Sequence, residues 1–358
     1  MKDITIGIIG CGGIARSKHL PSLQCIEGVR IAGFYDPVKS RAVECAGEFG
    51  DNAKIYEKAD ELLTDPEIDA VHICTPNNTH AELSIRALEN HKHVMCEKPM
   101  AIHAGQAMQM EQAAKKSGKI LTIGYQSRFE RRSLYLKKLC EQGTLGEIYY
   151  GKAHAVRRRG VPTWGSFLNP EIQGGGCLTD MGTHALDLTL WLMNNYEPEY
   201  AVCNTYCKLG KNANAANVWG PWDPEKFQVE DAAFGFVRMK NGATVEIDCS
   251  WALNTTDVKE SVATLCGTRA GADMRDGLTI NGESEQGLYV SRIDVSNATG
   301  ISLDIPYSED PGLTEMEDWI HAIRTGTQPL VKAHEATVVC QIIDGMYWSA
   351  KSREPYYF

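Results

Sequence analysis

The chain has 358 residues, long enough for two domains of ordinary size, and 43% of them are hydrophobic, enough to fill sizeable cores. A net charge of −10 argues against nucleic acid or an anionic membrane as the main partner, because both reward clustered Lys and Arg. The 12 cysteines include no C-x-x-C pair and suit buried thiols in a reducing compartment, and no apolar stretch approaches the roughly 20 residues of a membrane helix, so a cytoplasmic protein is expected.

An apolar strand over 4–9 runs into Gly10-Cys11-Gly12-Gly13-Ile14-Ala15, which fits G-x-G-x-x-A and opens a helix to about Cys25. The first glycine suits a tight turn and the second lets a pyrophosphate near the backbone. The small third residue brings helix and strand close, and free N–H groups then meet the phosphates. A second strand, 29–35, ends in Asp36, near the spacing expected of the acid that accepts hydrogen bonds from both ribose hydroxyls of NAD. That carboxylate would repel the 2′-phosphate of NADP, since like charges about 4 Å apart cost on the order of 4 kcal/mol at an effective dielectric of about 20. NAD is therefore expected over NADP.

Further strands over 68–74, 92–96 and 120–124, with helical periods between, predict a doubly wound parallel sheet, the Rossmann arrangement, for residues 1–125. Strand alternation sends Cys96 to the face opposite His91 and His93, so no metal site is expected. A helix over 130–142 leads into a different second half, residues 126–358. Segments 147–159, 199–209, 232–239, 243–252 and 260–268 read as strands, and Asn241-Gly242, Asp276-Gly277 and Asn281-Gly282 as hairpin turns. Helices over 177–194, 313–325 and 333–351 complete an α+β domain with a large, mainly antiparallel open sheet, and the last two can pack back on the first domain. A sheet with one uncovered face predicts pairing into a homodimer or homotetramer.

Ligands of doubly wound sheets bind beyond the carboxyl ends of the strands. Three segments lie there: Thr75-Pro76-Asn77-Asn78-Thr79-His80, Glu97-Lys98-Pro99, and Gly124-Tyr125-Gln126-Ser127-Arg128-Phe129. Oxidising a secondary alcohol needs a group to accept the hydroxyl proton and a charge to stabilise the alkoxide-like oxygen, tasks that suit a histidine and a lysine such as Lys98. Asp180, His184 and Asp187, spaced i, i+4 and i+7, share one face of a helix that opens after Gly174-Gly175-Gly176. In Arg157-Arg158-Arg159, alternation points Arg158 away from its neighbours. The following Gly160-Val161-Pro162 turn presents Trp164, which suits a pyranose face or the nicotinamide, as Arg158 suits hydroxyls.

Together, GCGGIA, Asp36, TPNNTH, Glu97-Lys98-Pro99 and GGGCLTDMGTHALDLTLWL at 174–192 resemble the glucose-fructose oxidoreductase, inositol dehydrogenase and rhizopine catabolism family, Gfo/Idh/MocA. The resemblance covers nearly the whole chain and implies NAD(P)-dependent oxidation or reduction of a sugar, cyclitol or related polyol. It makes His184 the acid/base group, Asp180 a substrate-hydroxyl ligand, Lys98 a second polarising or relay group, and Asp187 an orienting residue. It places Gly10, Cys11, Gly12, Gly13, Ile14, Asp36, Thr75, Pro76, Asn77, His80, Glu97 and Lys98 at the cofactor. Tyr125, Arg128, Arg158, Trp164, Asp180, Thr183 and His184 fall at the substrate. The 157–165 segment resembles a branch associated with oxidation at C3 of glucose or glucosides. Inositol dehydrogenation, a glycosidase that retains NAD and oxidises transiently, and a non-catalytic NAD-binding regulator remain alternatives.

Overall fold

Six largely apolar strands stack side by side in the first part of the chain: β1 (Ile4–Ile9), β2 (Val29–Tyr35), β3 (Lys54–Ile55), β4 (Ala70–Ile73), β5 (His93–Cys96) and β6 (Leu121–Ile123). The computed structural model describes residues 3–50, 52–295 and 308–358. Every pairing in this sheet is parallel, in the order β3-β2-β1-β4-β5-β6. All of β1 and β4 is buried, as a parallel sheet covered on both faces requires. The strand order reverses direction between β1 and β4, the position at which doubly wound sheets bind ligands. Two-residue β3 and the helix Ala59–Thr64 were not anticipated, being too short to impose a period.

The chain divides into two compact units. The first runs to Gln126 and also includes the segment that ends at Thr337; the second runs from Ser127 and includes Val338–Phe358. Helix Pro311–Thr325 completes the core of the first unit, where Met316, Trp319 and Ile320 join Ile4, Ile6, Ile8 and Phe34. Its start is set by Asp310, whose side chain accepts the Gly312 N–H at 2.8 Å, with Pro311 in the first turn.

The second unit holds a nine-stranded sheet: β7 (Ile148–Val156), β8 (Pro198–Tyr206), β9 (Ala232–Met239), β10 (Thr244–Ser250), β11 (Lys259–Gly267), β12 (Ala270–Asp273), β13 (Leu278–Ser284), β14 (Gly287–Ile293) and β15 (Tyr356–Tyr357). The order is β14-β13-β12-β11-β7-β10-β9-β8-β15, and among the described residues β7 with β10 is the one parallel pairing in it. Helix Thr183–Met193 packs on β7 and β11 and is buried from Ala185 to Leu192, being apolar nearly all round. Asn281-Gly282 is not a turn. It lies inside β13, where Gly282 pairs with Tyr289 and lies against its ring, while the hairpin closes beyond Ser284. Among the described residues, no helix is long and apolar enough to cross a membrane.

Candidate active site

Gly10 has φ +92°, and a Cβ there would lie 2.6 Å from the carbonyl oxygen of Cys74, so both backbone conformation and contact with the next strand demand glycine. Gly12 and Gly13 differ: a Cβ on either would meet nothing within 4 Å. The space beside them is open, which is the cradle a pyrophosphate needs, so these residues fit a dinucleotide. The buried Asp36 carboxylate accepts the N–H of Cys11 at 2.8 Å and that of Val38 at 2.8 Å. It therefore braces the glycine turn, and its remaining lone pairs are available for ribose hydroxyls. Ile14 is exposed beside the turn, and the helix then begins with a π-helical turn, Ala15–His19.

Beyond β4, Thr75 and Asn77 are half-buried and Pro76 is exposed. His80 is buried, with Nδ1 2.8 Å from the Pro99 carbonyl and Nε2 2.9 Å from that of Thr75. It ties this loop to the next one, with both ring nitrogens placed on backbone carbonyls. Burial lowers its pKa against the pull of the two carbonyls.

Glu97 also has a larger structural role than expected. Its Oε1 lies 2.5 Å from Lys18 Nζ and 2.8 Å from His19 Nε2, and Lys18 also contacts Glu315 at 3.1 Å. His19 Nδ1 faces His72 Nδ1 at 2.7 Å. With Glu97 as acceptor, the histidines order as His72 donating to His19 and His19 to Glu97. Burial opposes every charge here, yet Lys18 holds Glu97 well below the usual carboxylate range, and Glu315 and Glu97 hold Lys18 above that of lysine. Glu315, the second acid on one ammonium, is pushed by burial up to about 7. Glu97 Oε2 accepts the Lys98 N–H at 3.1 Å, so the network fixes the backbone of Lys98, whose side chain is half-buried. The Lys98–Pro99 peptide bond is cis.

In the second unit, Asp180 lies in a π-helical turn, Leu178–Gly182, that runs into the helix carrying His184. Both are half-buried. The indole N–H of Trp251 donates to Asp180 Oδ2 at 3.0 Å. Glu230 caps the turn: its carboxylate accepts N–H groups of Gly176 and Leu178, each at 2.9 Å, and the Tyr347 hydroxyl at 2.8 Å. A Cβ on Gly176 would lie 2.1 Å from the Glu230 carbonyl oxygen, which explains that glycine by packing. Thr183 is buried within the same helix.

Arg128 is fully buried, its guanidinium forked onto Asp187 at 2.8 and 2.6 Å and set 5.5 Å from the Trp191 ring. Expected at the substrate, it instead pairs with Asp187, the buried acid of helix Thr183–Met193, which is turned inward with it. Tyr125 is fully buried as well, leaving no surface for a substrate. Of the arginine run, Arg157 forks onto Glu260 at 2.7 and 2.7 Å, Arg159 donates to Asn254 and the Leu253 carbonyl, and Arg158 is exposed. Trp164 is exposed beside Trp219. A cavity of about 670 Å³ lined by Asp3, Glu27, Arg30 and Arg324 lies at the opposite, amino-terminal edge of β1 and β2, away from the glycine turn.

Residues 4–125 match the model of the oxidoreductase family with NAD-binding Rossmann fold, and 133–273 that of the Gfo/Idh/MocA C-terminal domain. A myo-inositol 2-dehydrogenase of Thermotoga maritima is 30% identical over 245 residues, 68% of this chain and 68% of that protein. The chain belongs to the Gfo/Idh/MocA oxidoreductase family. Within it, the D-glucoside 3-dehydrogenase of Escherichia coli K12 is 29% identical over 349 residues, 98% of this chain and 96% of that one. The crystal structure of an oxidoreductase domain protein from Kribbella flavida shares the fold with a TM-score of 0.86 at 20% identity, covering 100% of this chain and 99% of that one.

The first unit of this Gfo/Idh/MocA chain thus carries the family's NAD-binding Rossmann fold. Sequence reading missed Lys18, His19, Glu230, Trp251, Glu315 and Tyr347. For Glu230 a signal is present: it stands just before a strand, where a carboxylate is available to accept the N–H groups of a helix start.

Proposed function

We propose that this enzyme is an NAD-dependent dehydrogenase for a ring secondary alcohol of a sugar, glycoside or cyclitol, with C3 of a glucose or glucoside as the first candidate. The placement of Asp180 and His184 at one helix start, both half-buried and Asp180 oriented by the Trp251 indole, carries this reading. The similarity to a D-glucoside 3-dehydrogenase over nearly the full length supports the choice of substrate. NAD, when bound, accepts or returns the hydride. Gly10, Cys11, Gly12, Gly13 and Ile14 hold the pyrophosphate, Asp36 the adenosine ribose, and Thr75, Pro76 and Asn77 border the nicotinamide. Asp180 accepts a hydrogen bond from a substrate hydroxyl, His184 takes and returns the proton of the reacting hydroxyl, and the Lys98 ammonium stabilises the developing oxyanion. Residues 1–125 serve as the cofactor domain and 126–358 as the substrate domain. A second copy of the chain covers the sheet face on which Leu288 and Val290 are 89% and 76% exposed.

The test is reduction of NAD and NADP by purified protein with glucose, glucosides, inositols and sugar acids, followed by absorbance of the reduced nicotinamide. K98A and H184A are expected to lose roughly 10²- to 10⁴-fold in kcat while still binding NAD. Reduction with none of these substrates, or variants as active as the parent, would overturn the assignment.

A further inference from the structure

Large exposed apolar side chains gather where the 157–165 segment meets the β8–β9 connection: Trp164 is 51%, Trp219 43% and Val218 71% exposed. The two indoles meet edge to face at 5.0 Å. They sit on fixed backbone. The Asn217 amide accepts the Val161 N–H at 2.9 Å and donates to the carbonyls of Val161 and Gly220, each at 2.9 Å, and the Thr163 hydroxyl donates to the Trp219 carbonyl at 2.8 Å. Arg157, anchored on Glu260, stands 5.1 Å from the Trp219 ring. The connection does not need Trp219 in order to fold, because its own anchor is Trp222, buried on Phe227 with its indole N–H donated to the Gly210 carbonyl.

Ring contacts lead inward from this pair. Trp164 meets Phe167 at 5.8 Å, Phe167 meets Trp251 at 6.4 Å, and Trp251 donates to Asp180. Two rings therefore separate the exposed indoles from the acid assigned above to the substrate. A sugar bonded to Asp180 lies at the inner end of this row of rings, and the exposed indoles lie at its outer end. We infer that Trp164 and Trp219 form an outer aromatic subsite for the next ring of the substrate, so that the enzyme acts on glycosides bearing a second pyranose or an aromatic aglycone in preference to a free monosaccharide. This rests on the dehydrogenase reading above and on Asp180 meeting the reacting sugar. The apolar face of a pyranose or an aryl ring matches an indole, and Arg158 at the rim suits hydroxyls.

The experiment compares full-length wild type, W164A, W219A and W164F with methyl glucoside, cellobiose and 4-nitrophenyl glucoside, by NAD reduction and by calorimetric binding. Circular dichroism checks folding, and sedimentation checks assembly. Wild type is expected to show a KM for the two ring-bearing glycosides on the order of tenfold below that for methyl glucoside. Each alanine variant is expected to erase that KM advantage, with W164F retaining it. Cellobiose and the aryl glucoside distinguish the two kinds of second ring. If methyl glucoside is oxidised but the variants affect all three alike, or none, the subsite is refuted while the dehydrogenase reading stands. If no sugar is oxidised, that reading fails, and binding of ring-bearing glycosides decides the subsite: lost in the alanine variants it is upheld, absent in wild type it is refuted. Altered sedimentation in the variants with unchanged glycoside binding would make the patch a contact between copies, which also refutes it.

Discussion

Replacing Glu315 by Gln removes one titrating group from the buried network under Lys98 while keeping an oxygen for Lys18. Burial raises the Glu315 carboxyl from the ordinary 4.5 to about 7, and its side chain is 2% exposed, so little solvent screening discounts the effect. Between those two values the folded state binds more protons than the unfolded chain. Stability contributed by this group is therefore full below 4.5 and is lost as pH rises through 7. The full loss is about 3 kcal/mol, most of which falls between about pH 5 and about pH 8. E315Q is spared that loss. Urea unfolding of both proteins at the two pH values, followed by far-ultraviolet circular dichroism, gives a difference in stability that moves in favour of E315Q by that amount on raising the pH. Taking the difference cancels the parallel contribution of Asp318, which burial raises to about 6. A difference that stays constant across the interval would show that Glu315 keeps its charge when folded, and the assigned network would be wrong.

Asp36→Asn removes the charge that faces a 2′-phosphate while keeping an acceptor for the turn. The NAD-to-NADP ratio of kcat/KM is expected to fall on the order of 10²- to 10³-fold, the equivalent of about 4 kcal/mol at an effective dielectric of about 20. An unchanged ratio would detach Asp36 from cofactor choice. Arg128→Leu strips Asp187 of its bidentate partner in a fully buried site and is expected to cost about 3–5 kcal/mol in urea unfolding, with R128L/D187L recovering most of it. A cost below about 1 kcal/mol would mean that the pair is not the helix's charge balance. Trp251→Phe removes the donor to Asp180 but keeps a ring. It is expected to raise the sugar KM roughly tenfold or more, since a hydrogen bond to a charged group contributes about 1.5–3 kcal/mol, and to leave NAD affinity unchanged.

Elements with several turns or alternations were legible in the sequence. Apart from two-residue β3, the strands of the first sheet carry their own period and lie where it places them, as do the helix over 131–141 and β7 to β11 of the second sheet. Asn281-Gly282 was misread because a turn dipeptide inside a hairpin strand looks the same as one at its tip, and Tyr289 on the paired strand decides between them. The shared face of Asp180, His184 and Asp187 was argued from α spacing. The π-helical turn over 178–182 departs from α spacing between Asp180 and the two later residues, while His184 and Asp187 lie in regular α-helix. Asp180 and His184 are half-buried, whereas Asp187 goes inward to Arg128. No local pattern announces that partner, which lies 59 residues away.

The widest separation is also the most consequential for chemistry. Lys18 belongs to the helix that opens the glycine turn, Glu97 precedes the candidate catalytic Lys98, and Glu315 stands on a helix 297 residues beyond Lys18. One ammonium holds both acids, so neither loop can shift without stranding a buried charge, which costs several kcal/mol. Glu97 spends one oxygen on that pair and on His19, and the other on the Lys98 N–H. The turn expected to bear the pyrophosphate and the turn expected to bear the catalytic ammonium are thereby fixed to each other through side chains rather than through the chain between them.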